Sequence, residues 1–230
     1  MIPILDISAL LWFLICWIGY TRFADLRARD KLTLMSAMHG YRRQWMREMM
    51  HREVRIVDSN IVLILARSAT FLASTTIFIL AGLIAVMGTM DTAMEVVGDL
   101  RYAVKSSREV WELKMLGLLL VFIYAFFKFT WSMRHFNYLS TIIGAAPMSH
   151  ELPAWSDSFA ERAAKVSSKA SNTFNRGLRA YYFGLAFLSW FLHPLLFILA
   201  TALVVGVLYR REFKSGMLKE LGDPNDFYGR

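Results

Sequence analysis

Two cations stand inside stretches that are mostly apolar, and these residues are the ones in the chain best suited to chemistry. Arg67 interrupts the run from Ile61 to Gly88, and Lys128 interrupts the run from Trp111 to Met133. A charge held within the hydrocarbon of a bilayer is costly, so each such residue is a functional candidate by default. Both cations are expected near the same face of the membrane, within one to two turns of the ends of their runs.

Hydroxyl groups beside Arg67 enlarge this candidate site. Cationic side chains together with hydroxyls can line an anion path or hold an anionic headgroup. The candidate anion, lipid or pore residues are Arg67, Ser68, Ser74, Thr75, Lys128 and Arg134. A structural alternative stays open, in which Arg67 extends to lipid phosphate or pairs with Asp58 of a neighbouring chain. Serine and threonine hydroxyls also join packed helices, and those at 68, 75 and 76 do not share one narrow face.

Two histidines stand in or next to apolar runs. His135 follows the third run, and His193 lies about midway along the fourth, directly before Pro194. Because the two histidines differ in depth, a haem held between them is only a remote alternative, and no cofactor or metal site is predicted. His193 and Pro194 are instead candidates for a helix kink and for packing, since a proline frees a backbone carbonyl.

The sequence carries none of the familiar catalytic motifs. There is no GxSxG motif, no P-loop and no HExxH motif, so no catalytic residue is assigned and an enzyme is not predicted. The single cysteine, Cys16, lies in an apolar run and allows no disulfide within the chain. The net charge of +8 comes without a nucleic-acid-binding module, which favours contact with anionic lipid over nucleic acid.

The elements that would position these residues are membrane-spanning helices. Hydrophobic residues make up 56% of the chain, which is above the roughly 45–50% typical of soluble domains. A span requires about 20 mostly apolar residues. Four stretches meet this requirement, at about 2–21, 61–88, 111–133 and 180–209. The sequence therefore predicts an all-α integral membrane protein with four transmembrane helices in a single membrane domain over 1–230.

Lysine and arginine are distributed unevenly between the loops. With four spans, fifteen of these bases fall in 22–60 and 134–179, whereas eight fall in 89–110 and the C-terminal tail. The positive-inside rule then places the first and third loops in the cytoplasm and both termini outside. The basic tail, which begins at Arg210, conflicts with this arrangement, so either the tail is an exception or one span is misassigned.

The two basic loops carry helical patterns of their own. Leu34, Met38, Tyr41, Trp45 and Met49 recur at steps of three and four, which is typical of an amphipathic helix. A narrow, alanine-rich stripe follows Ser156 in the third loop. We therefore expect cytoplasmic helical segments over about 31–60 and 156–179. Packing of the two segments against each other is favoured over an arrangement flat on the membrane surface.

Several stretches, taken in order, resemble an uncharacterised multi-pass membrane family of bacteria and plants, domain of unknown function 599. They are Trp45-Met46, Arg55-Ile56-Val57-Asp58, 71–76 (FLASTT), 126–131 (FFKFTW), 134–138 (RHFNY), Ala145-Ala146-Pro147, 175–183 (NRGLRAYYF), 190–194 (WFLHP) and 209–213 (YRREF). The resemblance covers most of the chain. It implies a protein of the bacterial inner (plasma) membrane and brings no activity, substrate or catalytic residue.

Two classes of function follow from these features. The first is a homo-oligomeric channel-like protein for small anions, because four helices are few for a transporter with its own central site. The alternative is an accessory or scaffold subunit that binds another membrane complex or anionic lipid through its helical segments. The expected partners are the lipid bilayer, anionic lipids, and either further copies of the chain or a partner membrane protein.

Overall fold

The computed structural model describes residues 3–30, 33–101, 103–104, 106–150 and 152–222, and within these ranges the regular elements are all helices. The predicted ends at residues 2 and 31 lie outside the described residues. The helices are α1 (Ile4–Asp30), α2 (Leu34–Met50), α3 (Ile56–Gly88), α4 (Met90–Gly98), α5 (Arg108–Gly144), α6 (Ser156–Leu188), α7 (Pro194–Phe213) and α8 (Gly216–Leu221). A 3₁₀ turn, Ser189–Phe191, lies between α6 and α7.

Four helices are long and apolar enough to cross a membrane. The qualifying stretches are Ile4–Arg27, Ile56–Gly88, Arg108–Gly144 and Pro194–Leu221. The predicted class, an all-α membrane protein with four such helices, is therefore confirmed. The second and third spans belong to longer helices than predicted, because α3 begins at Ile56 and α5 continues past Met133 to Gly144.

The fourth predicted span, 180–209, is divided into two helices. Helix α6 ends at Leu188, and α7 begins at Pro194 after the 3₁₀ turn. The physical reason is Pro194, which lacks an N–H and pushes the residue before it out of the α conformation. His193 is accordingly extended and caps α7, its Nδ1 accepting a hydrogen bond from the Leu195 N–H at 3.0 Å. The predicted kink is thus a complete break.

The chain reverses direction at this break. Next to it, the ring of Phe197 in α7 lies 5.2 Å from that of Phe187 and 5.0 Å from that of Trp190. Farther from the break, Arg211 of α7 donates a hydrogen bond to the Tyr182 hydroxyl of α6 at 3.0 Å. Helices α6 and α7 therefore form an antiparallel hairpin, and the second half of α6 is a fifth helix inside the bundle.

Close contact with α5 buries that second half of α6. A Cβ atom added at Gly177 would lie 2.6 Å from the ring of Phe129, and one added at Gly184 would lie 3.1 Å from the ring of Phe122. The two glycines are seven residues apart and share a face, so they let the α5 aromatic rings approach the α6 backbone. The remainder of this core is aromatic and includes Phe13 of α1.

The hairpin determines which end of the bundle holds the C-terminal helices. Glu212 accepts a hydrogen bond from the Met35 N–H at the start of α2, and the Tyr41 hydroxyl donates to the Leu221 carbonyl. The described tail bases, which begin at Arg210, therefore lie at the same end as α2 and the start of α6. We call this the basic end. The described start of α1 and the described end of the chain thus lie at opposite ends of the bundle, whereas the sequence led us to expect both termini on one side.

The two predicted helical segments pack together as expected. Helix α2 and the first half of α6 form a second core with the extensions of α3 and α5, which includes Met46, Met49, Val62, Leu139 and Ala163. Helix α2 does not continue into α3, since a short connection at 51–55 separates them. This second core therefore extends the bundle at its basic end.

Candidate functional site

The structure places the predicted residues of α3 on its outer surface. Arg67, Ser68 and Ser74 are exposed. The Ser68 and Thr75 hydroxyls donate to carbonyls of their own helix, those of Ile64 at 3.1 Å and Phe71 at 2.9 Å. These two hydroxyls therefore bond within their own helix, and they form no polar path in the described part of the chain.

The cations predicted on α5 lie apart from those on α3. The Lys128 ammonium lies over the ring of Tyr124, 4.9 Å from its centroid, and Arg134 is exposed. In the described part of the chain, no hydrogen bond or ion pair joins Arg67 to Lys128 or Arg134. The predicted set is thus not brought together in the monomer.

Asp58 is fully buried at the start of α3. Its Oδ1 accepts from the Trp45 indole and from the Arg52 guanidinium, both at 2.6 Å. Nearby, Arg55 donates to the carbonyls of Ala146, at 2.8 Å, and Pro147. Three of the stretches that carry the family resemblance therefore meet at one corner, and Asp58 is engaged within its own chain rather than available to Arg67 of another.

A different group of cations converges at the basic end, around a cavity of about 120 Å³ between α1, α2, α6 and α7. Arg42, Arg179 and Arg211 line it, and we call it the arginine cavity. One carboxylate, that of Glu212, also lines it. Leu178 and Leu208 form an apolar part of the cavity wall.

Arg42 lacks an acidic partner in this cavity. Burial lowers the pKa of its guanidinium to about 10, and no carboxylate in the described ranges offsets that effect. A guanidinium separated from bulk water and left without a counter-ion favours an anion beside it. Arg42 is therefore the residue of this cavity that a bound anion would stabilise most.

The other two arginines are already held in place. Arg179 is buried, and it donates to Asp25 Oδ1 of α1 at 3.3 Å. Arg211 is held by the Tyr182 hydroxyl described above. Because these contacts fix the guanidinium groups before any ligand arrives, the cavity has a preorganised positive face.

A second, more open cavity of about 480 Å³ adjoins the first, and Met35 and Asn172 line both. Its bases are Lys165, Lys169 and Arg176, and we call it the lysine cavity. Asp25 lies at its inner edge, where it accepts a hydrogen bond from Arg176 at 2.6 Å.

His39 also lines the lysine cavity, across from α6. Its Nδ1 lies 2.8 Å from the Ser168 hydroxyl, and burial lowers the pKa of the imidazole. A histidine whose folded pKa is lowered stays neutral at neutral pH. The charge of the lysine cavity therefore comes from its lysines and arginine.

Both cavities lie at the basic end of the bundle, and the length of α1 relates this end to the opposite one. Asp6 and Asp25 are nineteen residues apart along α1, which is ~28 Å at 1.5 Å per residue and close to the ~30 Å thickness of a bilayer core. Asp25 contacts the arginines of the basic end, whereas Asp6 pairs with Lys114 at the opposite end, at 3.2 Å. The arginine cavity thus lies about the thickness of one bilayer core from the Asp6–Lys114 pair.

Part of this site could have been recognised from the sequence, at positions other than those of the predicted site. Along α6, residues Lys165, Lys169, Asn172, Arg176 and Arg179 follow one another at steps of four and three, and so share one face. Arg42 and Arg211 come from distant helices, and no pattern within one helix could associate them with this face.

Comparison with known proteins gives one match. The family described as "Protein of unknown function, DUF599" matches residues 8–217. No curated protein and no solved structure matches the chain.

Proposed function

We propose, from the premise that this chain belongs to the uncharacterised DUF599 family, that it binds the phosphate headgroup of an anionic lipid in its arginine cavity. The observation that carries the proposal is the convergence of Arg42, Arg179 and Arg211, with Arg42 lacking an acidic partner in the described structure. This is the lipid-binding form of the accessory role considered above.

The chemistry of the cavity suits a phosphate. Guanidinium groups offer paired N–H donors that match phosphate oxygens, and the three arginines outnumber the one carboxylate of Glu212. Leu178 and Leu208 give the same cavity an apolar side, along which an acyl chain can continue. A free anion would use only the first of these features, whereas a lipid would use both.

The distribution of charge supports an orientation in the membrane. The basic end carries the bases of the first and third loops and also those of the described tail, which removes the conflict in the four-span count. The positive-inside rule then puts the basic end in the cytoplasm, facing a leaflet rich in anionic lipid. Together with the family resemblance, this supports a bacterial inner-membrane protein whose N-terminus is periplasmic and whose tail is cytoplasmic.

Two adjacent arginines provide the test. Both are exposed, but Arg211 lines the cavity and Arg210 does not. Dioctanoyl phosphatidic acid and dioctanoyl phosphatidylcholine would be titrated onto the purified full-length protein, with binding followed by native mass spectrometry. We expect a preference for phosphatidic acid that Arg42→Gln and Arg211→Gln each weaken about tenfold, as for loss of a charge-assisted hydrogen bond.

Arg210→Gln is the matched control, since it removes the same charge at the same depth. An equal loss in Arg210→Gln and Arg211→Gln would show that only bulk charge matters. Equal binding of both lipids to the unaltered protein would contradict the proposal outright.

The channel hypothesis keeps one supporting observation. Arg67 and Ser74 are seven residues apart, lie on one face of α3 and are both exposed. A pore for small anions would have to form between copies of the chain, because aromatic side chains fill the core between α1, α5, α6 and α7. Chloride or nitrate flux into liposomes tests it. Flux that Arg67→Gln abolishes would favour the channel, and no flux above empty vesicles would dismiss it.

A further inference from the structure

The lysine cavity offers a second set of cations directly beyond the arginine cavity. Met35 and Asn172 form a shared wall, so a ligand that fills one cavity meets the other without crossing a helix. The basic face of α6 described above forms a stripe that runs past both cavities, from Arg179 at the membrane boundary to Lys165 near the start of the helix. Arg179 and Lys165 are fourteen residues apart, or ~21 Å along the axis.

The carboxylates near this stripe pair with some of its bases and leave Lys169 unpaired among the described residues. Asp25 engages Arg176 and Arg179, and Glu161 lies 3.6 Å from the Lys165 ammonium. Lys169 has neither an ion pair nor a hydrogen bond from its ammonium in the described structure. The lysine cavity therefore keeps an excess of positive charge well outside the membrane boundary, where a single lipid phosphate would not reach it.

We infer that the headgroup bound here carries a second phosphate that projects away from the membrane, with the first phosphate in the arginine cavity and the second in the lysine cavity. This inference rests on the proposed function, because that proposal assigns the first phosphate to the arginine cavity. Arg179 of the arginine cavity and Lys169 of the lysine cavity are ten residues apart, or ~15 Å along the axis. Because both side chains are long and can reach toward each other, a spacer about the size of one sugar ring joins the two phosphate positions.

A series of three short-chain lipids separates the possibilities. Dioctanoyl phosphatidic acid has one phosphate at the membrane surface. Dioctanoyl phosphatidylinositol adds the ring, and its 4-phosphate adds a projecting second phosphate. Titrated onto the full-length protein in detergent, the 4-phosphate should bind at least about tenfold more tightly than phosphatidylinositol, as expected for an added charge-assisted hydrogen bond to the second phosphate.

Lys165→Gln/Lys169→Gln should abolish that difference and leave the affinity for phosphatidic acid unchanged. Both lysines are exposed, so the double variant is expected to fold. Arg134→Gln/Arg162→Gln is the control, because it removes the same charge from exposed positions that line neither cavity. We expect this control to retain the preference for the 4-phosphate.

The chain-free headgroup, glycerophosphoinositol 4-phosphate, distinguishes a lipid from a soluble ligand. Much weaker binding of this compound than of the lipid supports a membrane ligand, and equal binding would overturn the lipid part of the inference. Equal affinity for the 4-phosphate and phosphatidylinositol would overturn the second phosphate and leave the proposed function intact. If none of the three lipids binds, the proposed function itself fails.

Discussion

At the scale of single residues, the opposite end of the bundle is held by a buried ion pair. The Lys114 ammonium lies 3.2 Å from Asp6 Oδ1, and the two side chains are 1% and 6% exposed. Lys114 also donates to the Trp190 carbonyl at 3.0 Å, and the Trp190 indole donates to Asp6 at 2.7 Å. The pair thus ties α1 and α5 to the turn between α6 and α7.

Removing one partner of this pair should be severe. Lys114→Met leaves the buried Asp6 carboxylate without its counter-charge and the Trp190 carbonyl without its donor, and breaking a buried pair in this way costs about 3–5 kcal/mol. We expect a clear fall in the thermal midpoint in detergent, measured by intrinsic fluorescence. Asp6→Asn/Lys114→Met removes both charges and should recover part of the loss. A single variant as stable as the unaltered protein would contradict this role.

Glu212 occupies the arginine cavity as an internal anion. Its Oε1 accepts from the Met35 N–H at 3.3 Å, and an amide oxygen can keep that bond. Glu212→Gln should therefore raise the affinity for phosphatidic acid about threefold to tenfold by removing a like charge. The thermal midpoint without lipid should hardly change. An unchanged or lower affinity would show that Glu212 does not face the ligand.

At the scale of the elements, the α5–α6 contact depends on two glycines. At Gly177 a side chain would overlap the ring of Phe129, whereas Gly206 on α7 has no atom within 4 Å of a built Cβ. We expect Gly177→Leu to destabilise the protein by at least ~1–3 kcal/mol through overpacking. Gly206→Leu, the matched control in the membrane-spanning part, should be tolerated. Thermal unfolding in detergent measures both, and similar midpoints would contradict the close packing.

The individual helices were predictable from sequence, but their pairing was not. Apolar length gave the first three spans and helical periodicity gave the segment around Trp45, because both are local properties. Because the residues at 180–209 are apolar, the sequence predicted one span across the end of α6 and α7, although Pro194 indicated the break. The arginine cavity depends on Arg42 and Arg211, which are far apart in sequence. Only packing of α2 against α6, and of α6 against α7, brings them together.

The predicted site around Arg67 followed from treating any charge in an apolar run as buried. In the structure α3 is a peripheral helix, so Arg67 lies at its surface. Thr76 hydrogen-bonds Tyr181, and Arg67 lies nine residues, or ~14 Å, from Thr76 toward the basic end. Depth along a helix can be counted from the sequence, but whether a side chain faces the core depends on which other helices pack against that helix.

At the scale of the whole molecule, the number of passes decides where the tail lies. Exposed positions suited to labelling are Glu109 at the opposite end, and Arg43 and Lys214 at the basic end. Single cysteines would be placed at these positions in a Cys16→Ala background and treated with an impermeant maleimide on intact cells. We expect the Glu109→Cys variant to react at once.

The Arg43→Cys and Lys214→Cys variants should react only after permeabilisation, because both positions lie at the basic end. Labelling of Lys214→Cys together with Glu109→Cys on intact cells would support a single span over 180–209 and contradict the hairpin. Labelling of both Arg43→Cys and Lys214→Cys on intact cells, without labelling of Glu109→Cys, would reverse the proposed orientation.

The polarity of α6 constrains how the chain enters the bilayer during synthesis. Of the described helices, α6 runs through the bundle without being apolar enough to cross a membrane by itself. Arginine opposes release of a segment from the translocon into lipid, so Arg176 and Arg179 would hold α6 back until α7 has been made. Asp25 on α1 is by then in place to receive both arginines. We therefore expect α6 and α7 to insert together, against the three spans already assembled.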